Sequence, residues 1–281
     1  MAGRADLRQT TSPTHALLQR MRGLPARSWQ NLRSPVALVR NRWRRAKPVP
    51  ALPNWRVPLA VWAGLILASF FALDDPVGAF RGHWDPASVG AAQALSNMLL
   101  GGWYIVPSVL VLLIVNAIDW TRFTGRRLAV LYSWTGIASF GLLSTGLGGL
   151  GANILKRALG RARPEHFDDL GPYAFDSFGG SSFAGFPSGH SFTAGAVGAM
   201  LVLFFPRLRL VALPATMIAA SSRIVLGSHY PSDVIAGYGL GFAATVALAY
   251  AFGRLGYLFR LRAGALPAPR DSLRFTWRRT G

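Results

Sequence analysis

Long apolar segments alternate with short polar stretches along most of the chain. Six segments are nearly free of charged residues and approach the about 20 residues that a helix needs to cross a bilayer. They cover residues 57–73, 99–118, 128–155, 187–205, 210–227 and 232–253, and Arg223 interrupts the fifth near its end. A soluble helical protein would carry charged residues at helical spacing inside such segments. The pattern therefore predicts an all-α fold, an integral membrane bundle of six transmembrane helices.

Both ends of the chain differ from this apolar middle. Residues 1–56 hold twelve Lys and Arg but a single acid, Asp6, among many Pro and Ser residues. This composition is typical of a disordered basic tail, above all over residues 1–27. An Arg-rich, acid-poor start is also typical of an organelle transit peptide. We expect a basic tail over 1–56, a membrane domain over 57–253 and a second basic tail over 254–281.

One part of the N-terminal tail, residues 34–46, has a pattern of its own. Ser34 can cap a helix that carries Pro35 in its first turn. Such a helix would have an apolar face of Val36, Val39 and Trp43, flanked by Arg40, Arg42, Arg44 and Arg45. The segment is predicted to form a helix that lies on an anionic membrane surface.

Composition supports a membrane protein and narrows its chemistry. The chain has 281 residues, of which 51% are hydrophobic and only 15% are charged, which is too apolar for a typical soluble domain. A net charge of +19 would also suit a nucleic-acid-binding protein, but the arginines cluster between the apolar segments and in the tails. No nucleic-acid partner is therefore expected. The absence of Cys excludes disulfides, thiolate metal sites and thiol catalysis.

The distribution of basic residues predicts an orientation. If both termini are cytoplasmic, 24 of the 30 Lys and Arg residues lie on the cytoplasmic side. The six on the other side are Arg81, Lys156, Arg157, Arg161, Arg163 and Arg223. This imbalance follows the positive-inside rule.

Three polar clusters stand at ends of the apolar segments. They are Lys156 with Arg163 and Pro164, then Pro187 to His190, then Ser222 and Arg223 with His229 and Asp233. The predicted orientation places all three clusters on the non-cytoplasmic face, although it was not used to find them. We expect them to meet in one site.

The first two clusters suit the binding of a phosphate. Lys156 and Arg163 are seven residues apart, about two helical turns, so they can share one face of a helix that Pro164 ends. Arg157 and Arg161 fit an ordinary basic membrane flank. Pro187 suits a first helical turn, from which the amides of Ser188 and Gly189 would point outward to an anion.

The remaining residues suit proton and phosphoryl transfer. His190 follows the anion-binding turn, where an imidazole is an apt proton donor near neutral pH. His229 precedes Asp233 by four residues, as in a nucleophile or base that a carboxylate orients. Arg223, inside an apolar segment, needs an anion, a partner or a route to water.

Together the clusters match a known signature, K-x6-R-P, P-S-G-H and S-R-x5-H-x3-D, at every fixed position between about residues 150 and 240. The chain thereby resembles the type 2 phosphatidic acid phosphatase superfamily. The resemblance implies a phosphohydrolase that uses neither metal nor other cofactor. It also implies roles: His229 attacks phosphorus and forms a phosphohistidine, His190 protonates the leaving oxygen and then activates water, Asp233 orients His229, and Lys156, Arg163, Arg223, Ser188 and Gly189 hold the phosphate oxygens.

The membrane setting favours the lipid-phosphate branch, with a lipid phosphomonoester or diphosphate as substrate. Undecaprenyl diphosphate, phosphatidylglycerol phosphate, phosphatidic acid and a lipid A phosphate all fit a bacterial inner membrane with the site on its periplasmic face. A lipid phosphotransferase is the alternative enzyme, and a non-catalytic lipid-phosphate binding or transport protein is the alternative of another class. An aromatic loop, residues 167–186, is expected to form a lid or a lipid-entry surface.

Overall fold

The computed structural model describes residues 24–44, 48 and 50–270. Its α-helices are α1 (Leu24–Arg44), α2 (Arg56–Ala72), α3 (Asp74–Phe80), α4 (Pro86–Met98), α5 (Gly102–Ala117), α6 (Gly125–Leu142), α7 (Gly148–Leu159), α8 (Phe167–Leu170), α9 (Gly189–Phe204), α10 (Arg209–Val225) and α11 (Pro231–Arg254). A π-helical turn, Leu143–Leu147, joins α6 to α7, and short 3-10 turns occupy Trp120–Arg122, Pro164–His166 and Pro206–Leu208. Within these residues the all-α prediction holds apart from a short antiparallel ladder, β1 (Phe259–Arg260) with β2 (Ala268–Pro269), and an isolated bridge between Arg161 and Phe175.

All six predicted segments fold as apolar helices, but fewer than six satisfy the requirements for a membrane span. Four stretches of the described residues are long and apolar enough: Pro86–Ala117, Gly125–Leu159, Pro206–Val225 and Pro231–Arg254. Helices α2 and α3 together form a fifth, bent by 52°. Helix α9 is apolar but has only 16 residues. The fold is thus a helical membrane fold with four to five candidate spans, and six remains a prediction.

Helices α9 and α11 pack against each other along most of their lengths, and glycines set their separation. A Cβ atom at Gly195 would overlap the carbonyl of Tyr238, and one at Gly241 would overlap the carbonyl of Phe192. Small residues allow membrane helices to approach this closely. Because the contact continues to their N-terminal ends, the first turns of the two helices lie side by side.

The other end of these helices is closed by an aromatic core. Phe140 of α6 is fully buried and meets Phe252 of α11 and Phe259 of β1 edge to face, with ring centres 5.4 and 5.1 Å apart. The Tyr250 hydroxyl donates to the carbonyl of Ala265 at 2.9 Å. The start of the predicted C-terminal tail is therefore packed onto the bundle up to residue 270, whereas residues 271–281 lie outside the described part.

Helix α1 includes residues 34–44 of the N-terminal segment, but its bounds differ from those predicted. It begins at Leu24, so residues 24–27 are helical rather than disordered, and Ser34 and Pro35 lie inside the helix instead of starting it. The Asn31 amide donates to the carbonyls of Asn116 and Ile118 at 2.7 and 2.6 Å. This contact with the end of α5 is a tertiary anchor that the local sequence does not reveal. The disorder predicted for residues 1–23 falls outside the described residues.

Candidate active site

The structure brings the three polar clusters to one end of the bundle. Lys156 is in the last turn of α7, and Arg163 lies four residues beyond that helix. His190 is in the first turn of α9, and Arg223 is in the last turn of α10. His229 is in the connection that follows α10, and Asp233 is in the first turn of α11. Arg223, His229, Lys156 and Arg163 are all close enough to His190 to act on it electrostatically. The site is therefore a cationic pocket around two imidazoles.

Lys156 and Arg163 reach this pocket by a different route from the one predicted. Helix α7 ends at Leu159, and Gly160 adopts a φ of +65°, which favours glycine. A Cβ atom there would also overlap the backbone of Asp176, whose amide donates to the Gly160 carbonyl at 2.6 Å. Lys156 therefore lies at the end of a helix and Arg163 in the loop after it. The prediction that they share one face of a single helix is wrong.

Two arginines of the pocket have donors to spare. The Nη1 atom of Arg223 donates to the Ser96 hydroxyl at 2.9 Å, but its Nε atom, like that of Arg163, is buried without a hydrogen-bond partner. Neither guanidinium forms an ion pair with a carboxylate in the described part of the chain. Both arginines are half-buried, and a partly desolvated cation without a counter-charge is unfavourable, so both groups are suited to an anionic ligand.

The start of α9 supplies one open amide rather than two. The Ser188 amide donates to the Asp233 carbonyl at 3.1 Å, and the Ser188 hydroxyl accepts from the amide and hydroxyl of Ser191 at 3.3 and 2.9 Å. Ser188 is thus the N-cap of the helix, and Pro187 lies before the helix. The prediction that the Ser188 amide points outward to an anion is wrong. No atom would contact a Cβ at Gly189 within 4 Å. An anion can therefore approach the backbone at Gly189.

His229 is almost enclosed beside Asp233. Its side chain is 4% exposed, and its Nδ1 atom lies 3.6 Å from Asp233 Oδ2, longer than a hydrogen bond. That oxygen accepts from the Tyr230 amide at 2.9 Å, so Asp233 also caps α11. Burial lowers the pKa of His229 below its usual value, against the opposing effect of the Asp233 carboxylate. The pKa direction favours a neutral ring, which has a lone pair available for attack.

Arg161, predicted to be part of an ordinary basic membrane flank, is instead a buried structural centre of the site. Its side chain is 0% exposed. Its guanidinium donates to Asp233 Oδ1 at 2.6 Å, to the Ser232 hydroxyl at 2.7 Å, to Asp74 Oδ2 at 2.8 Å and to the Pro172 carbonyl at 2.7 Å. The carboxylate beside His229 is thus fixed from its far side.

Asp74 is the second residue that sequence reasoning missed. It directly follows the first apolar segment, residues 57–73, yet it is fully buried and also accepts from the amide of Ser232 at 3.0 Å. One guanidinium therefore joins two carboxylates from helices α3 and α11. The available signal was an acid at the end of an apolar segment on the same face as an arginine without an assigned partner.

The aromatic loop, residues 167–186, is hydrogen-bonded to the segment that carries Arg163. The amides of Ala162 and Arg163 donate to the carbonyls of Ala174 and Ser182 at 2.9 and 3.1 Å. Phe178 at the surface is 75% exposed. No group of three or more His, Asp or Glu residues suited to a metal ion occurs within the described ranges.

Comparisons with known proteins agree with the signature. The profile of the PAP2 superfamily matches residues 137–257, a stretch that contains all three clusters. The lipid A 1-phosphatase of Rhizobium johnstonii is 37% identical over 243 residues, which cover 84% of this chain and 96% of that protein. The lipid A 1-phosphatase of Rhizobium etli is 38% identical over 221 residues, which cover 76% and 92%.

A solved structure also overlaps with this fold. The crystal structure of the first transmembrane PAP2 type phosphatidylglycerolphosphate phosphatase from Bacillus subtilis superimposes with a TM-score of 0.46 and 21% identity, covering 68% of this chain and 91% of that one. The two similar sequences and the matched profile suffice: the chain belongs to the PAP2 superfamily, in its membrane lipid phosphatase branch.

Proposed function

We propose that this membrane lipid phosphatase removes the 1-phosphate of lipid A through a phosphohistidine on His229. The observation that carries the chemistry is the pair of half-buried guanidinium groups of Arg163 and Arg223, whose buried Nε atoms have no hydrogen-bond partner and which lie without counter-charges beside two imidazoles. Together with Lys156 they leave the pocket short of negative charge, which a phosphate supplies. Preorganised cations of this kind stabilise the charge that develops on phosphate oxygens during transfer.

His229 is the proposed nucleophile. Its Nδ1 faces Asp233, which leaves Nε2 as the attacking atom, and its lowered pKa keeps that atom deprotonated. Attack forms the N–P bond while the bond from phosphorus to the lipid oxygen breaks, and its electron pair stays on that oxygen. As positive charge develops on the ring, the Nδ1 proton is drawn toward Asp233 and the 3.6 Å contact is expected to shorten.

His190 is the proposed proton carrier. It lies in the first turn of α9, where His229 is close enough to act on it electrostatically. In the first step it donates a proton to the leaving lipid oxygen. In the second it accepts a proton from water, which attacks phosphorus, breaks the N–P bond and releases inorganic phosphate. The Gly189 amide, Lys156, Arg163 and Arg223 hold the phosphate oxygens through both steps.

Lipid A 1-phosphate is the proposed substrate because both similar proteins bear that activity in their names and align over most of this chain. The exposed aromatic side chains of the loop, Tyr173, Phe175 and Phe178, suit a lipid that approaches from the membrane surface. We also propose, from the split of basic residues, that the site faces the periplasm, that both termini are cytoplasmic, and that α9 completes six spans.

A substrate panel tests the proposal. Purified protein in detergent micelles is given lipid A, phosphatidylglycerol phosphate, phosphatidic acid or undecaprenyl diphosphate, and both free phosphate and the lipid product are measured. The expected result is loss of one phosphate from lipid A with the highest kcat/KM of the four. A higher kcat/KM with another lipid would make that lipid, and not lipid A, the preferred substrate. Phosphate found on an acceptor lipid instead of in solution would indicate a phosphotransferase.

The covalent intermediate is tested separately. The protein is mixed with substrate that carries a labelled phosphate, and the reaction is quenched with alkali, in which phosphohistidine survives. The label on the protein is then measured. We expect label on the wild type and on the control His83→Ala, whose histidine is exposed in the loop before α4. We expect none on His229→Ala. Equal labelling of His229→Ala would remove the phosphohistidine from the mechanism.

A further inference from the structure

A cavity of about 540 Å³ separates α1 from the helical bundle. Phe252 and Leu255, at the C-terminal end of α11, line it, whereas the proposed active site lies at the N-terminal end of the same helix. With a rise of 1.5 Å per residue, the two are roughly 30 Å apart. The cavity is therefore a separate feature that the phosphatase chemistry does not use.

The cavity exists because α1 is attached to the bundle at two points and is separated from it between them. On one side, Asn31 donates to the carbonyls at the end of α5 at 2.7 and 2.6 Å. On the other, Arg42 donates to the carbonyl of Gly256 at 2.8 Å. Between these anchors, Val36 and Val39 face Ser139 across open space. The two attachments hold the cavity open as part of the fold.

The walls of the cavity are apolar, and its cationic residues lie along one side. The apolar lining includes Val36, Val39, Trp43, Leu143 and Phe252. The Thr135 hydroxyl, also in the lining, donates to the carbonyl of Leu131 at 2.9 Å. Two exposed arginines, Arg40 and Arg44, belong to the lining, and no acidic residue does. They follow Val36 at intervals of four residues, so they form one stripe along α1.

We propose that this cavity binds an acyl chain of one anionic glycerophospholipid, whose phosphate lies against Arg40 and Arg44. A small aqueous anion would not need the apolar walls, and a neutral lipid would not need the arginines. Guanidinium groups bind phosphate oxygens in pairs, and basic pockets between membrane helices bind anionic lipid headgroups. Trp43, which contacts Arg254 with the guanidinium 5.7 Å from its ring centre, suits the headgroup level.

Native mass spectrometry tests the headgroup part of the proposal. The protein is released from micelles that contain equal amounts of phosphatidylglycerol and phosphatidylcholine with identical chains. We expect one phosphatidylglycerol to remain bound, at least fivefold in excess over phosphatidylcholine. Arg40→Gln with Arg44→Gln should abolish this preference. The matched control, Arg207→Gln with Arg209→Gln, removes the same charge from exposed positions outside the cavity and should keep it.

An independent measurement tests the acyl-chain part. The chain has no cysteine, so Ser139→Cys introduces a single thiol in the cavity wall. Its reaction with a small maleimide should be several-fold slower with phosphatidylglycerol in the micelles than with phosphatidylcholine. Equal rates, a preference unchanged by the Arg40 and Arg44 variant, or an equal loss in the control would each overturn the proposal. Neither measurement depends on phosphate release, so its outcome is separate from that of the proposed phosphatase.

Discussion

Replacement of Arg161 by methionine should destabilise the protein more than any other single loss of charge near the site. Methionine keeps much of the volume but leaves Asp74 and Asp233 buried without their common cation. Removal of one partner from a buried ion pair typically costs about 3–5 kcal/mol. Here each carboxylate keeps a neutral donor, the Ser232 amide for Asp74 and the Tyr230 amide for Asp233, so the loss stays within that range instead of doubling.

For a chain of this length, a free-energy loss of about 4 kcal/mol lowers Tm by roughly 10 °C. Thermal unfolding in detergent, followed by tryptophan fluorescence, measures this shift. The matched control is Arg157→Met, an exposed arginine four residues earlier, whose loss should change the free energy of unfolding by about 0.5 kcal/mol or less.

A double variant separates the effect of the unpaired buried carboxylates from the effect of lost side-chain packing. Adding Asp74→Asn to Arg161→Met removes one of the two unpaired carboxylates, so part of the lost Tm should return. In the presence of Arg161, Asp74→Asn alone should lower Tm. Equal Tm values for Arg161→Met and Arg157→Met, or no recovery in the double variant, would refute the argument that Arg161 neutralises two buried acids.

Three further outcomes follow from the site and its proposed orientation. His229→Ala should lose several orders of magnitude in kcat, each tenfold being about 1.4 kcal/mol, whereas Asp233→Asn should lose less because the ring is misplaced and not removed; near-normal phosphate release by His229→Ala would exclude the mechanism. Activity should persist in excess EDTA and fall with vanadate, and strict dependence on Mg²⁺ would contradict this. In intact spheroplasts, an impermeant maleimide should react with Ser181→Cys and not with Thr124→Cys, and the reverse pattern would place the site in the cytoplasm.

The sequence predicted those parts of the structure that depend on composition and fixed spacing. Apolar segments predicted where helices form, and the spacing of Lys156, His190 and His229 predicted which side chains share a site. Helix ends were less accurate because they depend on contacts made by residues distant in sequence. The end of α7 at Leu159 depends on Gly160 meeting the backbone of Asp176.

Arg161 shows why the rest of the site could not be predicted. In sequence it resembles Arg157, another arginine in the same basic stretch, yet one is fully buried and the other is exposed. The difference arises because Asp74 and Asp233, far apart in sequence, converge on Arg161 when α3 packs near α11. No local pattern distinguishes the two arginines, and only the pairing of distant acids does.

The hydrogen bond between the Ser188 amide and the Asp233 carbonyl has a consequence for how the chain can be divided. It joins the tips of α9 and α11 directly, and the glycine contacts hold the two helices together below it. The spacing of the two histidines is therefore set through space, and the exposed Pro206–Leu208 turn at the far end of α9 has no part in it. A reporter domain inserted in that turn, or a protein produced as two fragments cut there, should keep the catalytic geometry.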